Sequence, residues 1–157
     1  MKKISNPYSS VEGYNCFGCS KTNSLGLRLN FLEYDEGLMC EWLPEEQFQG
    51  WVGVLHGGIQ ATLLDEIASW VVFVKCGISG VTSELKVRYK KPVKMTGKPI
   101  KLKGELREMQ RNIAVIDCYL YDSEGILCAQ AECKYFTFSE EVGKRDFFYP
   151  GKDAFYE

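Results

Sequence analysis

The chain has 157 residues, 45% of them hydrophobic and 25% charged, with a net charge of −2. That length suits one domain with a core that needs neither disulfides nor metal, and no cluster of lysines and arginines provides a nucleic-acid footprint. The polar start, Met1 to Pro7, lacks the apolar stretch of a secretory signal, and the seven cysteines are odd in number, so the expectation is a cytoplasmic protein with reduced thiols.

Residues 1–24 read as an irregular arm rich in Ser, Asn, Gly and Tyr. A strand is expected over 25–34, where Leu27, Leu29 and Phe31 alternate with Arg28 and Asn30. Asp35-Glu36-Gly37 signals a turn, 38–43 a second strand, and 44–47 one helical turn with Pro44 leading. From Gly57 the period becomes helical, with Ile59, Leu63, Ile67, Trp70 and Val74 on one side, and the helix should run to about Lys75 and stop at Gly77. Its most apolar part, 59–74, contains Gln60, Asp65, Glu66 and Ser69, which argues against a membrane span. Four more strands are expected over 81–91, 99–109, 112–121 and 126–138, the last two joined by the hairpin signal Asp122-Ser123-Glu124-Gly125. A polar tail, 139–157, carries aromatics that should dock. The order β-β-α-β-β-β-β with short turns implies an α+β domain, a curved antiparallel sheet wrapped around one central helix.

Two features of that helix point to chemistry. At about 100° per residue, Gly58, Ala61, Thr62, Ala68, Ser69 and Val72 surround Asp65 on a face of small residues. Alone, Asp65 would read as a surface acid like its neighbour Glu66. A carboxylate framed by small residues, with room for a ligand or a second backbone, reads instead as one in use. The helix also starts at His56-Gly57-Gly58, where unsatisfied N–H groups and glycines suit a developing oxyanion. Gly57 and Asp65 are eight positions apart, about 12 Å along a helix. One carbonyl can meet both only if the two come from different subunits, so a catalytic role for both implies a dimer with sites at its interface.

The segment from Gly50 to Glu66, with the run Ser83 to Val93, resembles PaaI-like hot-dog thioesterases over roughly residues 14–138. The resemblance implies a hot-dog fold, homodimers often paired into tetramers, and hydrolysis of acyl-CoA without a cofactor. Carried over, Gly57 donates its N–H to the thioester oxygen, Asp65 of the partner subunit is general base or nucleophile, Ser83 helps place water or the acid, and His56 flanks the oxyanion glycine. Gly58 and Thr62 join the substrate-binding set. Some relatives have an Asn or Gln six residues before the His; here that position is Gly50, with Gln49 adjacent as a substitute. Arg88, Lys90 and Lys91 are candidates for CoA phosphates, and Phe48, Trp51 and Leu55 for the acyl group. Cys16-Phe17-Gly18-Cys19 lacks a second cysteine pair at matching spacing, so no metal is expected and a packed turn is favoured. A hot-dog hydratase or dehydratase would need a placed acid/base pair, which the lone His56 does not supply, and a non-catalytic acyl-CoA sensor would not need Asp65.

Overall fold

The computed structural model describes residues 1–156. Seven strands form one antiparallel sheet in the order β1-β2-β3-β5-β6-β7-β4. They are β1 (Lys2–Lys3), β2 (Leu32–Glu33), β3 (Gly37–Trp42), β4 (Gly80–Tyr89), β5 (Ile100–Gln110), β6 (Ile113–Tyr121) and β7 (Leu127–Thr137). The helix α1 (Gly57–Val71) lies against the concave side, in contact with β3, β4, β5, β6 and β7. This is the hot-dog architecture. α1 continues through a π-helical stretch, Val72–Cys76, and stops at Gly77, whose φ of 69° closes the helix in the left-handed region.

Helix and sheet meet closely because both supply the right sizes. Leu63, Leu64, Ile67 and Val71 are fully buried, and β5 answers with Gly104. A Cβ there would stand 3.1 Å from Val71 Cγ2 and 3.2 Å from Ile67 Cγ1, so the absent side chain sets how near α1 approaches. Ala68 and Val72 are also buried. The open small-residue face is therefore narrower than the sequence suggests, and comprises Gly58, Ala61, Thr62, Asp65 and Ser69.

The expected first strand is a correction: only Leu32–Glu33 is strand. Leu27, Leu29 and Phe31 are buried as their alternation implies, but the Leu27 and Leu29 N–H groups bond to Phe17 and Gly18 of the arm instead of a sheet neighbour. The short helical turn is Glu46–Phe48, two residues later than Pro44 would set it. In the tail, α2 (Glu140–Phe147) starts at Ser139, which accepts from the Val142 N–H, with Glu140 and Glu141 in its first turn and Lys144 and Arg145 in its last. Tyr149 and Phe155 then bury themselves against Phe73, while Phe148 stays exposed.

Gly104→Val should force α1 off β5 and destabilise the fold by about 1–3 kcal/mol, the usual cost of overpacking, measured as a lower urea midpoint at unchanged m-value.

Candidate functional site

α1 begins with a capped but incompletely satisfied turn. His56 is the N-cap, and its Nδ1 accepts the Gly58 N–H at 2.9 Å. An accepting Nδ1 holds its lone pair, so the neutral imidazole carries its proton on Nε2 and faces its surroundings as a donor. Among the described residues the Gly57 N–H takes no hydrogen-bond partner, while the Gly57 carbonyl accepts from Tyr89 Oη at 2.7 Å. That bond ties the end of β4 to the start of the helix. Gly50, Trp51, Val54, Leu55, His56 and Gly57 line an apolar cleft at this helix start. Trp51, which lines it, is 85% exposed, and its chain neighbour Val52 is 94% exposed. Phe48, in contrast, is buried against Trp42 and does not line the cleft.

Asp65 sits on the open face, half-buried, with its carboxylate fixed from the sheet. Tyr135 Oη of β7 is shared between Asp65 Oδ1, at 2.5 Å, and the Asp65 main-chain oxygen, at 2.7 Å. Thr82 Oγ1 of β4 donates to the same Oδ1 at 2.9 Å. Oδ2 takes no hydrogen bond among the described residues, so one oxygen is anchored and the other is left to face the site. Burial, reinforced by the Asp65 charge, drives the Tyr135 phenol far above its ordinary pKa and keeps it a donor.

The hydroxyl on Asp65 belongs to Thr82, whereas Ser83 Oγ donates to the Lys134 main-chain oxygen at 3.1 Å. The cause is a register shift between Thr82 and Glu84 in the pairing of β4 with β7. Beyond it, Leu85 and Val87 pack on the core and Tyr89 reaches Gly57. Before it, Thr82 is opposite Tyr135 and both turn to Asp65. An extra residue reverses which parity faces in. Ser83 was expected from the family resemblance, and simple alternation back from Leu85 also points to it, so Thr82 carried no local signal.

The other expected site residues are dispersed around this frame. Thr62 Oγ1 donates back to the Gly58 carbonyl at 2.9 Å. Gln49 uses its side-chain oxygen to accept the Gly53 N–H at 3.2 Å, which closes its own loop. Gly50 lies tight on the cap, since a Cβ there would stand 3.2 Å from His56 Cα. Lys90 and Lys91 both donate main-chain N–H groups to the Cys128 oxygen, and their side chains, like that of Arg88, are exposed. Tyr135, Thr82 and Tyr89 were not singled out from the sequence. Tyr135 reads there as one more inward strand aromatic, and only the fold brings it to Asp65.

Glu66, next to Asp65, faces the N-terminal arm. Its Oε1 accepts from Trp70 Nε1 at 3.1 Å and lies 3.6 Å from Cys16 Sγ. Burial, with the Cys16 charge adding to it, raises this carboxyl to about 7.

A family profile described as Thioesterase superfamily matches residues 52–129. The mouse (Mus musculus) acyl-coenzyme A thioesterase 13 is 32% identical over 80 residues, 50% of this chain and 56% of that protein. The human protein of the same name is 30% identical over 78 residues, 49% and 55% of the respective chains. The chain thus spans just over half the length of these curated relatives. Among solved structures, a hypothetical thioesterase protein of Streptococcus pneumoniae with coenzyme A superposes with a TM-score of 0.65 at 25% identity, over 71% of this chain and 90% of that one. The zebra fish thioesterase superfamily member 2 gives 0.61 at 28% identity, over 69% and 80%.

Tyr135→Phe removes a buried donor to a charged group. It should cost about 1.5–3 kcal/mol of stability, whereas Thr82→Val, at an exposed bond, should cost less than about 1 kcal/mol; chemical denaturation of the two variants side by side tests this ordering.

Proposed function

We propose that this chain, whose residues 52–129 match the Thioesterase superfamily, is a member of that family and hydrolyses acyl-CoA thioesters to free acid and CoA at sites shared between two copies of itself. The observation that carries the reading is the pairing of features on α1. Its N-terminus offers the free Gly57 N–H, and its open face offers a carboxylate with one anchored and one free oxygen. The thioester carbonyl accepts from the Gly57 N–H, and the helix dipole adds to that bond as the oxygen becomes an oxyanion. Asp65 Oδ2 of the other copy then acts as general base toward water or as the nucleophile itself, while Tyr135 and Thr82 hold Oδ1 in place. CoA leaves as its thiol. His56 Nε2–H and the apolar cleft at Trp51 and Leu55 border the carbonyl site. Arg88, Lys90 and Lys91, at the end of the strand that Tyr89 ties to Gly57, supply cations for the phosphates of CoA.

Two copies are needed for the spacing reason, and two surfaces support such an assembly. The small face of Gly58, Ala61, Thr62 and Asp65 is open enough for a second helix to approach antiparallel. β4 is a ten-residue edge strand with no neighbour on its outer side among the described residues, and Val81 and Tyr89 on it are 42% and 53% exposed. Association of two such dimers is the corresponding tetramer. The solved relative with coenzyme A and the names of the mouse and human relatives support the choice of acyl-CoA as substrate.

A hydrolysis screen over short, medium, long and aryl acyl-CoAs tests the activity. Asp65→Ala and Asp65→Asn should each lower kcat by ~10²–10⁴ at unchanged fold. A wild-type kcat in both would remove Asp65 from the mechanism, and tight acyl-CoA binding without turnover in the unmutated chain would make this a binding protein. Ala61→Arg places a bulky cation on the small face. It should yield a monomer by light scattering that has lost turnover together with its partner; an active monomer would overturn the shared site.

A further inference from the structure

Where the arm meets α1, three metal-capable groups converge that the proposed hydrolysis does not use. Cys16 and Cys19 share one tight turn, with their sulfurs 3.2 Å apart. The sequence offers no second cysteine pair at matching spacing, but the fold supplies a third donor from fifty residues away, Glu66, whose Oε1 is 3.6 Å from Cys16 Sγ. The three donor atoms all lie within 4.8 Å of one another. A tetrahedral Zn²⁺ with ordinary bond lengths sets its S···S and S···O separations at roughly 3.6–3.8 Å. The Cys16–Cys19 and Cys16–Glu66 spacings reach that geometry with shifts of about 0.6 Å or less, and Cys19 and Glu66 lie within 4.8 Å of each other.

The surroundings are built to hold such ligands in place. Tyr14 Oη lies 2.8 Å from Cys19 Sγ and accepts from Asn6 Nδ2 at 3.1 Å. Trp70 Nε1 orients the Glu66 carboxylate. These are outer contacts of the kind that fix metal ligands. Gly18 completes the arrangement, because a Cβ at that position would collide with the Glu66 carboxylate. The glycine is what allows the acid to approach the cysteine turn. A cleft of about 490 Å³, lined in part by Tyr14, Trp70 and Phe73, adjoins the donors.

We propose that Cys16, Cys19 and Glu66 bind one Zn²⁺, with water from the adjoining cleft as the fourth ligand, and that the ion fastens the N-terminal arm to α1 next to Asp65. Two thiolates and one carboxylate suit this borderline-soft ion.

The test uses the full chain, reduced and stripped with chelator, titrated with Co²⁺ as a spectroscopic stand-in and then with Zn²⁺. One equivalent of Co²⁺ should produce a thiolate-to-metal charge-transfer band with tetrahedral d–d absorption, which Zn²⁺ bleaches, and Zn²⁺ should raise the melting temperature. Cys16→Ser and Cys19→Ser should each abolish the band, whereas Cys76→Ser, outside the cluster, should keep it. Glu66→Gln and Gly18→Ala, which leave both sulfurs intact, should weaken Zn²⁺ binding by about 10–100-fold. Absence of the band in the unmutated chain, its survival in Cys16→Ser, or an unchanged Zn²⁺ affinity in Glu66→Gln would overturn the site. None of these readouts involves thioester turnover, so the result is independent of the function proposed above.

Discussion

A single helix has to satisfy two opposed demands, and the arrangement of the molecule follows from how it does so. One side of α1 must be bulky to fill the concave sheet, and Leu63, Leu64, Ile67 and Val71 are buried there to the last ångström, with Gly104 yielding space on β5. The other side is small and open, with a carboxylate in its middle. Burying the first side fixes the rotation of the helix about its own axis, and that rotation alone determines where Asp65 and Glu66 point. They leave the helix about 100° apart, one toward the open face and the other toward the arm.

The sheet does more than cover the helix. β7 and β4 each send a hydroxyl across to one carboxylate oxygen, and β4 ends by fastening Tyr89 to the first turn of α1. Helix start, acid and edge strand are therefore held in one frame. For the hydrolysis proposed above, such stiffness would help, because pre-positioned donors and acceptors meet developing charge without rearranging.

How much of this was readable beforehand depended on whether a feature was periodic. The long strands and α1 announced themselves through alternation and helical repeat, and the stop at Gly77 through the glycine, whose φ is left-handed in the fold. Leu27, Leu29 and Phe31 were read rightly as buried but wrongly as strand, since alternation reports sidedness and not which backbone supplies the hydrogen bonds. α2 was missed although Ser139 followed by Glu140 and Glu141 is a helix-start signal; the aromatics after it dominated the reading of the tail. The position of Asp65 on an open face of small residues and the start of α1 at Gly57 were legible from residue size and order. Tyr135, and the meeting of Glu66 with Cys16 and Cys19, were not, because each joins segments far apart in sequence.

The irregularity at Ser83 has a wider meaning. Two halves of one strand run out of phase across it, so the identity of the group touching the acid is set by chain length as much as by composition. A one-residue deletion or insertion there would hand the contact to a neighbour while every side chain kept its chemistry. Descent with small indels could in this way swap threonine for serine at the same place in space, and an alignment column would then pair residues that never do the same job.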